Sequence, residues 1–366
     1  MSLPSPCHSP TALSIGGGAG LPSSGAAALL QNPFKLVDLH HRRVEYLRLS
    51  VTDRCNYRCT YCMPAEGAPL VGHSELLSFE EIVRLTKEFV ALGVRKVRLT
   101  GGEPLVRRGI VDLVAMLAEI PGLLDLSMTT NGHLLAPLAG PLKAAGLSRL
   151  NISLDTLQEN RFAKLTRQGQ LRPVLAGIAA AQAAGFAHTK LNAVVLRGLN
   201  DDELSDLAVF AAEQALVLRY IEYMPIGVDD FWGPQTFLPV AAVRDALSAD
   251  WQLQADPGDT TPGGGPATRW LARHRHRPEL SVRLGFIAAV SEKFCELCNR
   301  VRLSSTGTLR ECLSTAGALS LRDLLRQGAG PAELRAAMTE AMAGKVDAHR
   351  FDQALTTPEA MSSIGG

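Results

Sequence analysis

The sequence predicts an α/β protein: a parallel sheet with helices packed outside it, followed by a smaller C-terminal α+β part. Three observations carry that prediction. Residues 45–224 alternate strand-like apolar runs with helical stretches joined by short turns. Six such β-α units follow one another without a break, and after Pro225 the alternation stops. The 366 residues leave room for one large or two medium domains, enough to bury a core without disulfide staples.

Residues 1–34 contain no Lys, Arg, Asp or Glu and are rich in Ser, Pro, Gly and Ala. They read as a flexible low-complexity tail, with Cys7 incidental to it. A secretory leader would begin with basic residues and a mitochondrial one would carry arginines, so the expected location is the cytoplasm. Strands are expected at 46–51, 94–100, 124–130, 149–154, 186–196 and 217–224. The clearest helix start is Ser78-Phe79-Glu80-Glu81, which has capping-box spacing ahead of Ile82, Leu85 and Phe89. Such a series fits either a barrel-like or a doubly wound sheet, and periodicity alone leaves both open.

A boundary near 225 divides the rest into 35–225 and 226–366. The second part holds a Pro/Thr/Gly-rich loop at 257–266, a short strand at 280–287, and helices near 319–327 and 331–343. Lys plus Arg number 37 against 36 Asp plus Glu, a net charge of +1. That balance excludes a basic nucleic-acid coat but permits a local basic pocket. No apolar run reaches the roughly 18 residues that cross a bilayer.

Seven cysteines are too few and too clustered for a secreted disulfide scaffold of this length. Six form two groups. Cys55, Cys59 and Cys62 give C-x3-C-x2-C directly after the first strand, flanked by Arg54 and Arg58. Three thiolates leave one iron of a cubane 4Fe–4S cluster without a protein ligand, a vacancy where chemistry can occur. A zinc site completed by a distant fourth ligand and ordinary buried cysteines are the plainer alternatives. C-x3-C-x2-C with an aromatic residue, Tyr61, before the last cysteine resembles the radical S-adenosylmethionine (SAM) superfamily. So does Thr100-Gly101-Gly102-Glu103-Pro104 after the second strand. In that superfamily the open iron chelates SAM, and an electron from the cluster splits it to a 5′-deoxyadenosyl radical.

Placement supports the reading independently, because active sites of parallel β/α folds collect at the C-terminal strand ends. Cys55–Cys62, Gly101–Pro104, Thr129–Gly132, Ser153 and Met224 all fall at such ends. One conflict arises there: in a regular sixth strand Arg219 and Met224 have opposite parity and cannot both point inward.

Cys295, Cys298 and Cys312 form a second three-thiolate group, C-x2-C-x13-C. A histidine-completed zinc site is its plainer alternative. Arg300 and Arg302, at i and i+2, share a direction if extended, and planar guanidinium forks suit phosphate oxygens. Arg48, Arg98, Lys190 and Arg219 lie inside strand-like runs, where parallel sheets are normally apolar. Such buried cations need anionic partners, either structural carboxylates or a polyanionic substrate.

The whole constellation resembles the molybdenum-cofactor biosynthesis protein A family, the GTP 3′,8-cyclases, from about Leu36 to Gly366. The matching segments are Tyr46-Leu-Arg-Leu-Ser-Val-Thr-Asp-Arg-Cys55, Ile221-Glu-Tyr-Met-Pro225, Phe294-Cys-Glu-Leu-Cys-Asn-Arg-Val-Arg-Leu303 and Gly365-Gly366. The resemblance implies an incomplete (βα)6 TIM-like barrel of the radical SAM type, with a second 4Fe–4S cluster in the smaller domain. It implies that Cys55, Cys59 and Cys62 hold the SAM cluster, and that Tyr61, Gly102, Ser153 and Met224 contact SAM. Cys295, Cys298 and Cys312 would hold the substrate cluster. Arg48, Arg98, Thr129, Lys190, Arg300, Val301 (through its backbone) and Arg302 would hold GTP. Arg219 and the Gly365-Gly366 tail would act in the catalytic cavity.

The implied reaction removes the ribose 3′ hydrogen of GTP and joins that carbon to guanine C8. An electron donor of the flavodoxin or ferredoxin class, a downstream cyclic pyranopterin monophosphate synthase and a homodimer are the implied partners. Neither membrane nor nucleic acid is among them. Departures from the family pattern are the N-terminal extension, Ala288-Ala289 where a proline turn is usual, Glu311 beside Cys312, and a long loop at 255–268. A peptide-modifying radical SAM enzyme and a zinc-binding nucleic-acid scaffold are the competing classes. The first leaves the phosphate-suited arginines without a purpose, and the second requires a basic surface and complete four-ligand sites.

Overall fold

The computed structural model describes residues 36–67, 69, 71–226, 231–256, 265–351, 361 and 364. The expected tail with Cys7, residues 257–264 of the long loop, and Gly365 and Gly366 lie outside them. The first half builds β1 (Tyr46–Ser50), α1 (Phe79–Ala91), β2 (Lys96–Thr100), α2 (Ile110–Ala118), β3 (Asp125–Thr130) and α3 (Leu135–Ala144). It continues with β4 (Arg149–Ser153), α4 (Glu159–Thr166), α5 (Leu171–Ala183), β5 (Lys190–Val195), α6 (Leu204–Glu213) and β6 (Val217–Glu222). The capping box at the start of α1 forms as expected. Ser78 Oγ accepts from Glu81 N at 3.2 Å, and Glu81 Oε2 accepts from Ser78 N at 2.8 Å.

The six strands lie side by side in chain order and all parallel. A doubly wound sheet would reverse its order at a switch point; this one does not, so it is the partial barrel. Side-chain parity gives the physical reason. Leu47, Leu49, Val97, Leu99, Leu126, Met128, Leu150, Ile152, Leu191, Ala193, Leu218 and Tyr220 are buried in one core, on the face that the helices cover. The residues between them are polar or charged: Arg48, Arg98, Ser127, Thr129, Asn151, Lys190, Asn192 and Arg219. Strands with one apolar and one polar face curve their helices around the outside and enclose the polar face.

The rest of the chain comprises α7 (Val240–Leu247), β7 (Trp251–Ala255), β8 (Thr268–His274), β9 (Ser281–Ile287), β10 (Arg300–Leu303), β11 (Thr308–Arg310), β12 (Leu319–Ser320), α8 (Leu321–Arg326) and α9 (Pro331–Ala341). β9 pairs parallel with β6, and β10 pairs parallel with β1. Although adjacent in sequence, they extend opposite edges of the barrel sheet. The segment between them, which carries Cys295 and Cys298, therefore crosses the open side of the barrel. Two antiparallel additions complete the order β12-β11-β10-β1-β2-β3-β4-β5-β6-β9-β8-β7. The core is continuous across residue 225, since Trp251, Phe286, Val301, Leu321 and Met338 join the same apolar cluster as the barrel strands. No helix among the described residues is long and apolar enough to cross a membrane.

β6 stops at Glu222, two residues short of the expected strand, and this removes the parity conflict: Met224 lies beyond the regular strand and is free to turn inward. Glu222 ends the strand by serving as a buried acceptor. Its carboxylate accepts from Val240 N at 2.8 Å, Val290 N at 2.8 Å, Ser291 N at 2.9 Å and Ser291 Oγ. It thereby holds the turn after Ala288-Ala289, where no proline stiffens the chain. Glu222→Ala should lower the unfolding free energy by about 3 kcal/mol or more, since several buried donors lose their acceptor. Denaturant unfolding of the apoprotein measures this, with Glu222→Gln as the milder comparison.

Candidate active site

The cysteine loop after β1 is clamped by backbone contacts from neighbouring strands. Thr52 O accepts from Gly102 N at 2.8 Å and Arg54 O from Glu103 N at 2.8 Å. Arg58 N donates to Thr166 O at 3.0 Å and Thr60 N to Leu165 O at 2.9 Å, docking the loop on the end of α4. A Cβ at Gly102 would lie 2.3 Å from Arg54 O. The glycine is thus required first by the protein's own backbone, a constraint the sequence reading assigned only to an approaching ligand.

Cys55, Cys59 and Cys62 line a cavity of ≈ 350 Å³ inside the partial barrel, and Cys295, Cys298 and Cys312 line the same cavity. The two groups sit at its opposite ends. Cys55 follows the C-terminal end of β1, whereas Asn299, next to Cys298, accepts hydrogen bonds at the start of that strand from Glu45 N at 3.1 Å and Tyr46 N at 3.2 Å. The strand between spans about 16 Å at roughly 3.3 Å per residue. No three His, Cys, Asp or Glu side chains among the described residues close around a point small enough for one metal ion. Three cavity-lining thiols at each end are a donor set that leaves one iron of a cubane cluster open.

Burial pushes the Cys55 thiol up to about 11 and Cys59 well above its usual value. Thiols of this kind ionise on binding a cationic centre. At the other end burial also pushes Cys298 up, but the charges of Arg300 and Lys345 and hydrogen bonds from Arg300 outweigh it and bring the thiol down to about 7. Burial raises Cys295.

Between the thiols the cavity wall is basic. Arg48 stands opposite Arg98 on β2 and Arg302 on β10. Burial, with a smaller effect from neighbouring arginines, lowers Arg48 to about 10 and Arg219 to about 9, and drives Arg302 well down. Arg48 Nε and Arg219 Nε and Nη2 are buried with no acceptor among the described residues. Arg149 shows the contrasting solution, since it is ion-paired with Asp125. Gly285, opposite Arg219 on β9, leaves the room that the Arg219 stem fills, because a Cβ there would lie 2.7 Å from Arg219 Cγ.

Of the residues singled out in sequence, Tyr61, Gly102, Ser153, Met224, Arg48, Arg98, Thr129, Arg219, Arg300 and Arg302 line this cavity with the six cysteines. Val301 instead packs its side chain into the core, fully buried. Lys190 opens into an adjoining cavity of ≈ 30 Å³ that shares Arg219 and Gly265 with the main one. Burial, followed by repulsion from Arg219, Arg149, Arg98 and Arg269, lowers Lys190 to about 7. Ile364, two residues before the outlying Gly366, places its carbonyl 3.5 Å from Arg302 Nη1.

Several lining residues escaped sequence reading. Asp155, just past β4, accepts from Tyr61 Oη at 2.5 Å and Val194 N at 2.9 Å, and burial raises it to about 6. Glu103, by contrast, was already marked by the Gly-Gly-Glu-Pro motif; it accepts from Thr130 Oγ1 at 2.6 Å, Asn131 N at 2.7 Å and Leu105 N at 3.1 Å, and burial still raises it to about 7. Tyr46 and Asn192 share the strand parity of Arg48 and Arg219. That parity was the available signal.

The arrangement defines a class. A three-cysteine loop after the first strand of a partial parallel barrel, against a Gly-Gly-Glu-Pro turn, is the architecture of radical SAM enzymes. A Radical SAM superfamily model matches residues 49–211, and a Molybdenum Cofactor Synthesis C model matches 216–351. The solved structure of Streptococcus suis SuiB bound to precursor peptide SuiA shares the fold, with TM-score 0.58 at 15% identity over 86% of this chain and 72% of that one. Full-length relatives are far more similar. A GTP 3′,8-cyclase from Pelotomaculum thermopropionicum is 44% identical over 329 residues, covering 90% of this chain and 99% of that protein. One from Pseudomonas entomophila is 48% identical over 324 residues, covering 88% and 95%. The chain belongs to the GTP 3′,8-cyclase family.

Arg219 tests the electrostatics directly. Arg219→Met removes a buried charge that has no carboxylate partner among the described residues, so the apoprotein should gain about 1–4 kcal/mol in stability. The same substitution should weaken retention of a polyanion. Paired denaturation and nucleotide-dialysis measurements check both signs.

Proposed function

We infer that the chain converts GTP to (8S)-3′,8-cyclo-7,8-dihydro-GTP, the first step of molybdenum cofactor biosynthesis, as a radical SAM lyase. The observation that carries this reading is the row of buried guanidinium groups, short of protein acceptors, lying between two three-cysteine sites. Two 4Fe–4S clusters and SAM are its cofactors; Cys55, Cys59 and Cys62 would hold the first cluster, which would supply reducing power for SAM cleavage when bound. Tyr61, oriented by Asp155, together with Gly102, Ser153 and Met224, seats SAM. Glu103, held by its three donors, offers a charge complement to an ammonium group at that end of the cavity wall.

Cys295, Cys298 and Cys312 would hold the substrate cluster at the opposite end. Arg48, Arg98, Thr129, Arg219 and the Arg300–Arg302 segment clamp the triphosphate, with Lys190 behind Arg219. Fixing both ends of GTP presents its ribose 3′ hydrogen to the SAM end and holds guanine C8 over the same carbon for ring closure. The enclosed wall excludes water from the carbon radical. The carbonyl of Ile364 near Arg302 supports a catalytic role for the following Gly365 and Gly366. We divide the roles near residue 225: the part before it serves SAM, and the part after it serves the nucleotide base. A flavodoxin or ferredoxin supplies the electrons, a homodimer is the working assembly, and cyclic pyranopterin monophosphate synthase takes the product. The cytoplasm suits such oxygen-sensitive sites. A peptide substrate, the alternative within the superfamily, leaves the buried guanidinium row without counter-charge.

Anaerobic reconstitution followed by iron, sulfide, SAM-cleavage and GTP-turnover assays tests the reading. About eight irons per chain and GTP-dependent SAM cleavage are expected for two cubanes. Bound zinc, or SAM cleavage indifferent to GTP, would sink it.

Lys190 supplies a second check. Its ammonium is half lost near pH 7 in the free enzyme, and a bound phosphate chain favours the charged form. GTP binding should therefore take up protons between about pH 7 and 9, and affinity should fall as pH rises through that window. Calorimetry in buffers of different ionisation enthalpy measures the uptake, and Lys190→Met should remove most of it near pH 7–8 while leaving the Arg219 contribution near pH 9.

A further inference from the structure

Tyr46 opens β1 on the cavity face, between its cross-strand neighbours Lys96 and Arg300. It is 5% exposed, and its ring lines the cavity. The Arg98 guanidinium stands 5.5 Å above the ring centroid. Its hydroxyl is buried with no hydrogen-bond partner among the described residues. A buried phenol normally finds such a partner, so this one lacks something that the working site supplies. The neighbouring deficits indicate what is lacking. Arg48 Nε and Arg219 Nε and Nη2 are also unpaired, and guanidinium nitrogens only donate. A species that accepts from all of them carries several anionic oxygens. A phosphate chain meets that requirement, whereas a carbonyl or a single water does not.

We propose that Tyr46 is a further substrate-binding residue of this enzyme: its hydroxyl donates a hydrogen bond to the nucleotide's phosphate chain, and its ring positions Arg98 for the same chain. The proposal rests on the nucleotide reading given above. The ring fixes Arg98 by a cation–π contact, which a phenylalanine would preserve. The hydroxyl adds a donor that carries no charge, so it strengthens phosphate binding without adding to the repulsion among the arginines.

Tyr46→Phe isolates the hydroxyl. In the anaerobically reconstituted full chain, equilibrium dialysis should show GTP binding weakened about ten- to hundredfold, the range for a hydrogen bond to a charged group. SAM binding and iron content should be unchanged, and guanosine, which has no phosphate, should bind both proteins alike. The apoprotein variant should unfold no earlier than wild type, since the lost hydroxyl had no protein partner. GTP binding unchanged in Tyr46→Phe overturns the proposal alone. So does an equal loss for GTP and guanosine, or a lower unfolding midpoint, either of which makes the hydroxyl structural or nucleoside-directed. Failure of the wild-type chain to retain GTP overturns the nucleotide reading and the proposal with it.

Discussion

Positive charge buried inside the partial barrel, without enough carboxylates to balance it, is the constraint on which the rest of the molecule turns. Arg48, Arg219 and Arg302 are held below their usual basicity by burial and by neighbouring arginines, Arg98 and Arg300 among them. A core of this kind opposes folding by itself. What offsets it is the outer face of the same strands, where Leu47, Leu99, Met128, Ile152, Leu191 and Leu218 are fully buried against helices. Each β-strand thus stabilises the fold with one face and stores unmet electrostatic demand on the other. The demand matches the triphosphate of the proposed substrate, placed between two groups of three thiols.

The connection from β9 to β10 turns that wall into a site with two ends. Because these consecutive strands add to opposite edges of the sheet, the chain between them spans the open side and brings Cys295 and Cys298 to the start of β1. Cys312 follows β11, which runs back antiparallel to β10, so it returns to the same end. Glu222 anchors one side of the crossing. On the other, Arg42 binds Asp38 at 2.6 Å and the carbonyls of Cys295 and Asp347 at 2.9 and 2.7 Å. Lys345 Nζ donates to the carbonyls of Arg300 and Glu311. The second cysteine group is therefore held by buried charged side chains that spend their hydrogen bonds on loop backbone. The first is held by neighbouring backbone, so close that Gly102 tolerates no Cβ, and by Arg167, whose Nη1 donates to the carbonyls of Arg58 and Met63.

Much of the active site was legible in the sequence because its determinants are local. The spacing of Cys55, Cys59 and Cys62 decides by covalent geometry that three thiols can face one centre, and the spacing of Cys295 and Cys298 does the same for two. The β-α alternation and the period-2 pattern within Tyr46–Ser50 follow from the backbone of one segment. Basic residues inside apolar runs were conspicuous without knowledge of their neighbours. Strand ends were less legible: β6 stops at Glu222 because of acceptor contacts with residues 240, 290 and 291. No local pattern announces those contacts.

Tertiary structure alone decided the choice between barrel and doubly wound sheet, the use of both barrel edges by β9 and β10, and the sorting of basic residues. Arg149 and Arg48 look alike in sequence, yet one meets Asp125 and the other meets no acceptor at Nε. Lys190 and Arg219 both sit on inward faces, yet Lys190 opens into the smaller adjoining cavity. Val301 and Arg302 are consecutive, and strand parity sends one into the core and the other into the cavity. The sequence by itself determined which chemical groups this protein carries and how closely each cysteine loop can gather them, because those follow from covalent spacing. Which charges stay uncompensated, and which hydroxyls such as that of Tyr46 await a ligand, was decided only by the fold, because burial and pairing depend on residues distant along the chain.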